Sequence, residues 1–441
     1  MSDESADKLW GTETDKAVDN FPVSGQRVPA PVVHWLGRIK AAAARTNAEL
    51  DLLDTDLAER IAEAGDAIGR GEHDDQFPVD VFQTGSGTSS NMNANEVIAN
   101  IAGEGVHRND HVNMGQSSND VFPSAVHLAA LDQTVNDLLP ALDDLAFALG
   151  EKAEEFSDIV KAGRTHLMDA VPVTLGQEFG GYAAQIRMGA ERVRGTLARV
   201  GQIPLGGTAT GTGLNTHKEF AHRARAKLAE SSGLDIYDPH DRFEAQANRD
   251  ALVELSGAVK VVATSLIKIA NDLALMGSGP RVGFAELRLP ELQKGSSIMP
   301  GKVNPVIPEV VIQVGDQVIG NDAAITVAGS QGQFELNVRV PLIAKNLLES
   351  IKLLGSASRL LNTKVIQDVE PNHESNQAAA EGTLATATAL NPHIGYDKAS
   401  DIVKAAADSG RPLREVAREM GVDDATLDEA LDHAKMARPH D

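Results

Sequence analysis

The segment 295–305, GSSIMPGKVNP, combines residue types that can do chemistry on an anion. Its glycines, serine pair and proline are typical of a mobile loop. Asn304 is a good N-cap and Pro305 a good first helical residue, so the loop delivers Lys302 to a helix N-terminus, where a carboxylate ligand is favoured. Ser296 could act as a base if a nearby cation and oriented backbone N–H groups stabilised its alkoxide. From spacing alone, a surface loop with a capping asparagine remains the alternative.

Two further segments are rich in hydroxyl and amide side chains. Residues 116–120, QSSND, precede a predicted helix and offer more polar groups than one cap requires, although a cap with spare polar neighbours is the alternative. Residues 83–91, QTGSGTSSN, form a glycine–hydroxyl loop that could wrap an anion but lack the ending of a Walker loop. Residues 207–213, GTATGTG, have the wrong spacing for a dinucleotide fingerprint.

Residues 163–169, GRTHLMD, place His166 in a polar loop that we expect between helices. A histidine is the natural group for proton transfer near neutral pH, although a lone histidine is more often structural. Glu309 falls in the first turn of the helix predicted from Pro305, a favourable place for a carboxylate. If Glu309 met His166, it would orient the imidazole ring and raise its basicity.

The composition excludes several classes of protein. The 441 residues contain no cysteine, which excludes a disulfide scaffold, a Cys-ligated metal centre and a thiol nucleophile. The formal net charge of -23 repels nucleic acid and anionic membranes, and no apolar run approaches the ~20 residues of a membrane span. The first residues, MSDES, lack the basic and apolar regions of a signal peptide. We therefore expect a cytoplasmic protein without nucleic-acid or membrane partners.

Two remaining features of the composition concern metal and salt. His107 and His111 are four residues apart, but no third ligand is apparent, so we expect solvated side chains and no metal site. Acidic residues recur along the whole chain rather than in one tail, which indicates adaptation to high salt. An ordinary acidic cytosolic enzyme is the alternative.

The elements that must position these segments are predicted to be long helices. Apolar residues step by three and four between positions 131 and 149 and again between 252 and 276, which is the pattern of a packed helix seam. The second of these helices is apolar over much of its circumference, which favours a core shared between subunits over the central helix of a monomer. Further helices are predicted at residues 30–64, 174–199, 305–328 and 340–361, and the long ones favour a helical bundle.

Changes in composition and in hydrophobic pattern along the chain predict three domains. Residues 1–115 form a mixed helical and loop domain, 116–366 a central long-helix bundle, and 367–441 a small helical domain. Residues 413–431 could pass for a helix-turn-helix, but their acidic side chains argue against DNA contact.

Taken together, these segments resemble the fumarase/aspartase superfamily, and most closely its class II fumarate hydratases. The loop 295–305 matches the superfamily signature, and the other matches are the segments from Gln83, Gln116 and Gly163, LGGTATGTGLNTH from Leu205, FELNV from Phe334 and NPHIGYDKA from Asn391. The resemblance implies a mainly α, three-domain fold with a long five-helix bundle as the central domain. It also implies a homotetramer whose active sites each collect residues from three subunits.

The resemblance assigns roles to individual residues in the reaction (S)-malate ⇌ fumarate + water. Ser296 would remove the C3 proton, while Lys302 and Asn304 would bind a carboxylate and stabilise the aci-carboxylate dianion. His166, paired with Glu309, would handle the water at C2. The remaining substrate contacts would be Ser86, Thr88, Ser117, Ser118, Asn119 and Thr165. Such a reaction requires dense hydrogen-bond donors around the nascent dianion and neither a cofactor nor a metal.

The resemblance also implies a second, peripheral carboxylate site at His107, Asn109 and Asp110. The arginine that precedes this segment in the family pattern is absent, because Glu104, Gly105 and Val106 stand before His107. The peripheral site therefore departs from the family pattern. The main site departs at Met168, where the family usually has a polar glutamine, and its catalytic assignment stays intact.

Two other functions are compatible with the same fold. Aspartate ammonia-lyase shares the signature loop, and residues 306–311 resemble it, but Ser118 and the TGSGT loop at 84–88 favour the hydratase. A non-catalytic helical scaffold is the other alternative, and the intact Ser296, Lys302, His166 and Glu309 argue against it.

Overall fold

The computed structural model describes residues 8–438. The segment MSDES, which was predicted not to be a signal peptide, lies outside the described residues. Most of the described chain is helical. Its α-helices are α1 (Thr12–Asn20), α2 (Ala30–Glu49), α3 (Thr55–Gly69), α4 (Thr88–Ala102), α5 (Ser118–Gln133), α6 (Leu139–Glu155), α7 (Leu175–Arg194), α8 (Leu197–Val200), α9 (Phe220–Ser232), α10 (Arg242–Ala247), α11 (Asp250–Met276), α12 (Val306–Gly329), α13 (Val340–Leu361), α14 (His373–Gly382), α15 (Asn391–Ile394), α16 (Tyr396–Ser409), α17 (Leu413–Glu419), α18 (Asp424–Ala430) and α19 (His433–Met436).

Short strands and irregular helical turns complete the secondary structure of the described residues. The strands are β1 (Val160–Thr165), β2 (Met168–Thr174), β3 (Leu287–Arg288), β4 (Gly332–Gln333), β5 (Leu336–Asn337) and β6 (Glu370–Pro371). They form three antiparallel pairs, β1 with β2, β3 with β6 and β4 with β5. Single π-helical turns lie at Arg108–Val112, Thr134–Leu138 and Asn362–Ile366, and 3-10 helices at Asp74–Gln76 and Leu384–Leu390.

The chain forms two compact units. The first comprises the described residues up to Pro140 together with Gly189–Thr264 and Val314–Ser356. The second comprises Ala141–Met188, Ser265–Gln313 and the described residues from Ala357 onward. This division follows packing and leaves the three sequence-based domains, 1–115, 116–366 and 367–441, as a prediction.

In the first unit, α2 and α3 form an antiparallel helical hairpin where the sequence predicted one helix over 30–64. The single-helix prediction is wrong because Asp51 adopts a left-handed φ of 56° and Asp54 caps a new helix. The Asp54 carboxylate accepts hydrogen bonds from the N–H groups of Asp56 and Leu57. The two helices approach so closely at Gly37 that an added Cβ would lie 2.5 Å from the Gly65 carbonyl oxygen.

The predicted apolar seam at 252–276 is buried on α11. Leu252, Leu255, Val259 and Leu266 are completely inaccessible to solvent. The same helix leaves Val261 and Leu275 about two-fifths exposed in the single chain. The seam was therefore predicted correctly, whereas its role in a core shared between subunits stays a prediction. No helix among the described residues has the length and apolar character needed to span a bilayer.

His127 on α5 is a buried histidine that the fold keeps neutral. Its Nδ1 lies 2.9 Å from the Val200 carbonyl oxygen, to which it donates, and its Nε2 lies 3.4 Å from Arg249 Nη1. Burial, reinforced by the positive Arg249, lowers the pKa of His127 to about 3. Because the unfolded chain binds this proton at the ordinary histidine pKa of ~6.5, acid stabilises the unfolded state over the interval between the two pKa values.

We expect His127→Gln to flatten the acid side of the stability curve. The glutamine amide can still donate to Val200, but it cannot take up a proton. Between about pH 6 and pH 4, the free energy of unfolding should fall less steeply than in the wild type, by about 1 kcal/mol per pH unit. Urea unfolding at a series of pH values, at one fixed protein concentration, measures the two slopes. Parallel curves for the two proteins would contradict the assignment.

Candidate active site

In the first unit, three hydroxyl groups form a continuous cluster at the starts of two helices. Ser86 Oγ lies 2.8 Å from Thr88 Oγ1, which lies 2.8 Å from Ser118 Oγ. Thr88 is the first residue of α4 and Ser118 the first residue of α5. Hydroxyl groups and free N–H groups at helix N-termini are donors for a carboxylate. The glycine–hydroxyl loop and the QSSND segment, which are separate in sequence, therefore meet in space.

The QSSND segment caps α5 as the sequence predicted. Ser117 Oγ accepts a hydrogen bond from the Asn119 N–H at 3.2 Å, and the Asp120 carboxylate accepts one from the Ser117 N–H at 2.8 Å. The Asn119 amide nitrogen donates to the Ala209 carbonyl oxygen at 2.9 Å. Because these contacts fix the backbone of Ser117 to Asn119, the directions of all three side chains are set before any ligand arrives.

Asp120 is the buried centre of this region, a role that was not predicted from the sequence. Its Oδ2 accepts hydrogen bonds from the N–H groups of Gly206 and Thr208, at 2.8 and 3.0 Å. Burial raises the pKa of Asp120 to about 6 in spite of these donors. The carboxylate therefore fastens the loop 205–213 against the start of α5. An acidic residue at the third position after a serine N-cap was the signal that could have revealed it.

In the second unit, His166 lies at the tip of a β-hairpin. The expectation of a loop between helices is wrong, because β1 and β2 pair with Thr165 opposite Met168 and leave only His166 and Leu167 in the turn. Both turn residues have a left-handed φ, 56° and 62° respectively. Residues 165–169 are exposed in the single chain, with Leu167 at 65% and Met168 at 69%. The hairpin therefore presents His166 at a projecting tip.

The turn at His166 and Leu167 is strained, because two-residue hairpin turns with positive φ prefer Asn-Gly sequences. A side chain in the left-handed region costs about 1–2 kcal/mol unless the residue is glycine, and such strain is often retained at functional positions.

We expect glycine to be more stabilising than alanine at position 167. Leu167→Gly should unfold with a free energy about 0.5–1 kcal/mol higher than Leu167→Ala, because only glycine relieves the strain. Urea unfolding of the two variants measures this difference. In an ordinary strand or helix the order is reversed, so alanine above glycine would show that position 167 is not left-handed.

A buried ionic cluster at Lys161, Arg164 and Glu286 anchors the hairpin. The completely buried Glu286 accepts a hydrogen bond from Arg164 at 2.7 Å through Oε1, and its Oε2 lies 2.7 Å from Lys161 Nζ in an ion pair. Lys161 also donates to Glu178 at 2.8 Å, and burial raises the pKa of Glu178. A cavity of about 690 Å³ that includes His166 in its wall opens beside this cluster. No local sequence pattern indicates this cluster, because its members lie far apart along the chain.

The loop 295–302 is closed by its own backbone, since the Gly295 N–H donates to the Lys302 carbonyl oxygen at 3.0 Å. The Asn304 amide donates to the Gly295 carbonyl oxygen at 2.7 Å, and α12 begins at Val306, one residue after the predicted Pro305. Inside the loop, Ser296 Oγ accepts hydrogen bonds from the N–H groups of Ile298 and Met299, at 3.2 and 3.1 Å. These two donors would stabilise negative charge on the Ser296 oxygen.

The residues of the predicted site are divided between the two compact units. The first unit carries Ser86, Thr88, Ser117, Ser118 and Asn119, and the second carries Thr165, His166, Ser296, Lys302, Asn304 and Glu309. Within residues 8–438, no hydrogen bond or ion pair joins His166 to Glu309. The pairing of these two side chains therefore stays a prediction.

The segment of the predicted second site folds as a π-helical turn after His107. His107 Nδ1 accepts from the Asp110 N–H at 3.1 Å and lies 2.9 Å from the Asp110 carboxylate. Arg108 forms an ion pair with the buried carboxylate of Glu96. In the described part of the chain, no group of three or more His, Cys, Asp and Glu side chains is arranged to hold a metal ion.

Comparison with known proteins identifies the family. A family model described as Lyase matches residues 2–320, and one described as Fumarase C C-terminus matches residues 387–438. A Corynebacterium efficiens protein named fumarate hydratase class II is 53% identical over 442 residues, which cover 98% of this chain and 93% of that protein. The chain belongs to the class II fumarate hydratases. A Halobacterium salinarum member of the family is 51% identical over 94% of this chain and 90% of its own length.

The family assignment extends to the fold. The crystal structure of recombinant class II fumarase from Schistosoma mansoni matches this chain with a TM-score of 0.96 and 38% identity, over 99% of this chain and 97% of that one. The mainly α, fumarase/aspartase-like fold predicted from the sequence is thereby confirmed, and the chain is a lyase.

Proposed function

We propose that this chain catalyses the reversible, anti addition of water to fumarate to give (S)-malate, a step of the citric acid cycle. The proposal rests on family membership over nearly the whole chain. The observation that supports the proposed chemistry is the environment of the Ser296 hydroxyl. Its oxygen accepts hydrogen bonds from two backbone N–H groups and lies in the same closed loop as Lys302. A hydroxyl oxygen with such donors is equipped to carry negative charge.

In the direction of dehydration, the Ser296 alkoxide takes the C3 proton of malate. The electron pair of the broken C–H bond moves into the adjacent carboxylate and gives an aci-carboxylate dianion, which Lys302 and Asn304 stabilise. The C2 hydroxyl then leaves as water with a proton supplied by His166, which Glu309 orients, and the C2–C3 double bond forms. The reaction balances without a cofactor or a metal ion.

The substrate carboxylates would be held by the hydroxyl cluster and the start of α5. Ser86, Thr88 and Ser118 supply linked hydroxyl groups, and Ser117 and Asn119 complete the segment. Thr165 adds a contact from the hairpin that carries His166. A dicarboxylate with its charge spread over two ends fits a site built from neutral donors together with one ammonium group.

The complete site would form in a homotetramer, with residues from three subunits at each site. The exposed Leu167 and Met168 at the hairpin tip, and the exposed Val327 on α12, support coverage of these surfaces by other copies. Light scattering during gel filtration should give four times the chain mass of 46.6 kDa. A monomer that hydrates fumarate would refute the shared site.

One assay tests the reaction and its nearest alternative. The purified protein is incubated with malate and, separately, with aspartate, and fumarate is followed by its ultraviolet absorbance. Fumarate from malate is the expected result. Fumarate from aspartate alone would identify an aspartate ammonia-lyase, and fumarate from neither substrate would identify a scaffold without catalysis.

Three further elements belong to the proposal. Adaptation to high salt is supported by the net charge of -23 and its spread along the chain, and activity is expected to be higher in molar salt than at low salt. A cytoplasmic location is also proposed, and a charge of this sign repels anionic membranes. A second carboxylate site at His107, Asn109 and Asp110 would need a cation other than Arg108, which pairs with Glu96. The site predicts two fumarates bound per chain in the wild type and one after substitution of all three residues, and an unchanged number per chain would exclude it.

A further inference from the structure

Lys40 is a lysine side chain with no access to solvent in the first unit. Its Nζ donates to Asn113 Oδ1 at 2.8 Å. The amide nitrogens of Asn91 and Asn95 lie 3.3 Å from the same oxygen. Three donors therefore converge on one carbonyl oxygen of Asn113. This convergence fixes the orientation of the Asn113 amide, because its oxygen must face the donors and its nitrogen must point away from them.

The nitrogen of the fixed Asn113 amide holds the peptide group between Gln116 and Ser117. Asn113 Nδ2 donates to the Gln116 carbonyl oxygen at 3.1 Å. At the other end of the same peptide group, the Ser117 N–H donates to Asp120 at 2.8 Å. Both polar atoms of this peptide group are therefore bound to groups that are themselves held in place, Asn113 by Lys40 and Asp120 by the loop 205–213.

We propose that Lys40 is a positioning residue that acts through Asn113 to hold the peptide group preceding Ser117. That peptide group sets where residues 117–119 direct their side chains. The inference therefore rests on the proposed function, in which these side chains bind a substrate carboxylate. Lys40 itself lies on α2 and is not one of the catalytic or substrate-binding residues proposed above.

The hydrogen bond of Lys40, rather than its charge, is the feature on which the positioning depends. Burial lowers the pKa of Lys40 to about 7, although the negative charge of Asp120 opposes the shift. Above that pH the buried amine is increasingly neutral but keeps two N–H donors. Burying an amine costs free energy, and Asn113 Oδ1 keeps its donors from Asn91 and Asn95 when the Lys40 donor is removed. Lys40→Met should therefore leave the fold intact while removing the donor to Asn113.

The test compares Lys40→Met, Asn113→Ala and the double variant as full-length protein. Lys40→Met should raise the KM for malate about tenfold and change kcat less than about threefold, because the Ser296 loop is untouched. If Lys40 acts through Asn113, the double variant should have the KM of Asn113→Ala alone, since the two changes break one connection. Multiplicative effects on KM would show that the residues act separately and would overturn the inference.

Leu36→Ala is the matched control, because Leu36 is completely buried one turn earlier on α2. It should lower the melting temperature and leave KM unchanged. Lys40→Met should do the opposite, with a raised KM at an unchanged or higher melting temperature. A Lys40→Met protein that loses stability as Leu36→Ala does, and keeps the wild-type KM, would show a purely structural role.

Amide hydrogen exchange separates this inference from the proposed function. In Lys40→Met, peptides that cover residues 112–120 should exchange faster than in the wild type, whereas Leu36→Ala should accelerate exchange along α2. This readout does not require turnover. A wild type that fails to convert malate would refute the function and leave the exchange result to decide the positioning role. An active wild type with unchanged KM and unchanged exchange in Lys40→Met would refute the positioning role alone.

Discussion

Ser296→Ala is expected to lower kcat for malate dehydration by at least about a thousandfold, with the protein still folded and oligomeric. An ordinary hydroxyl is a very weak acid, so a serine can serve as a base only where its alkoxide is stabilised. The N–H groups of Ile298 and Met299 both donate to Ser296 Oγ, and the flexible side chain of Lys302 belongs to the same closed loop. Alanine removes the oxygen on which these donors converge and leaves the backbone of the loop unchanged.

Ser297→Ala is the matched control, because it removes a hydroxyl from the next residue of the same loop. The two Ser296 hydrogen bonds do not involve Ser297, so kcat should stay within about fivefold of the wild type. Steady-state kinetics with malate, together with light scattering and melting temperature for each variant, makes the comparison. A Ser296→Ala protein with near-normal kcat, or a Ser297→Ala protein with the larger loss, would show that Ser296 is not the base.

The features that could be predicted from the sequence are local in origin. The seam on α11 follows from apolar residues spaced by three and four, and the start of α5 follows from a serine cap with a carboxylate three residues later. The chemistry of a segment such as 295–305 can be inferred from the sequence, because all its functional groups lie within about ten residues. Each of these predictions depends only on neighbours along the chain.

The features that could not be predicted depend on residues distant in sequence, or on tertiary contacts that override the conformational preference of the local sequence. Nothing near His166 and Leu167 is typical of a tight hairpin turn, yet the pairing of β1 with β2 forces both residues into the left-handed region. The helix predicted over 30–64 is broken between Asp51 and Asp54, and the resulting helices α2 and α3 pack closely at Gly37 and Gly65, a contact between positions distant in sequence. Lys40 was detectable, since it lies four residues after Leu36 on the apolar face of α2, but its partner Asn113 was not.

Glu286→Ala is expected to lower the free energy of unfolding by about 3–5 kcal/mol. Glu286 is completely buried and faces both Lys161 and Arg164, so its removal leaves two cations without their shared carboxylate. The Glu286 backbone is also engaged, since its carbonyl oxygen accepts from the Asn372 N–H and the Asn376 amide, both at 2.9 Å. The side chain can therefore be truncated while the main-chain contacts persist, which limits the effect to the ionic cluster.

Asp158→Ala provides the comparison, because Asp158 forms an ion pair with Arg438 at a similar distance, 2.8 Å, but with the Asp158 side chain 85% exposed. Solvent screens that pair, so its loss should change the free energy of unfolding by less than about 1 kcal/mol. Urea unfolding at one fixed protein concentration measures both variants, since subunit association contributes to apparent stability. Because Lys161 and Arg164 lie on the strand that leads to His166, Glu286→Ala should also lower kcat, whereas Asp158→Ala should not. Equal stability losses in the two variants would mean that the buried cluster does not anchor the hairpin.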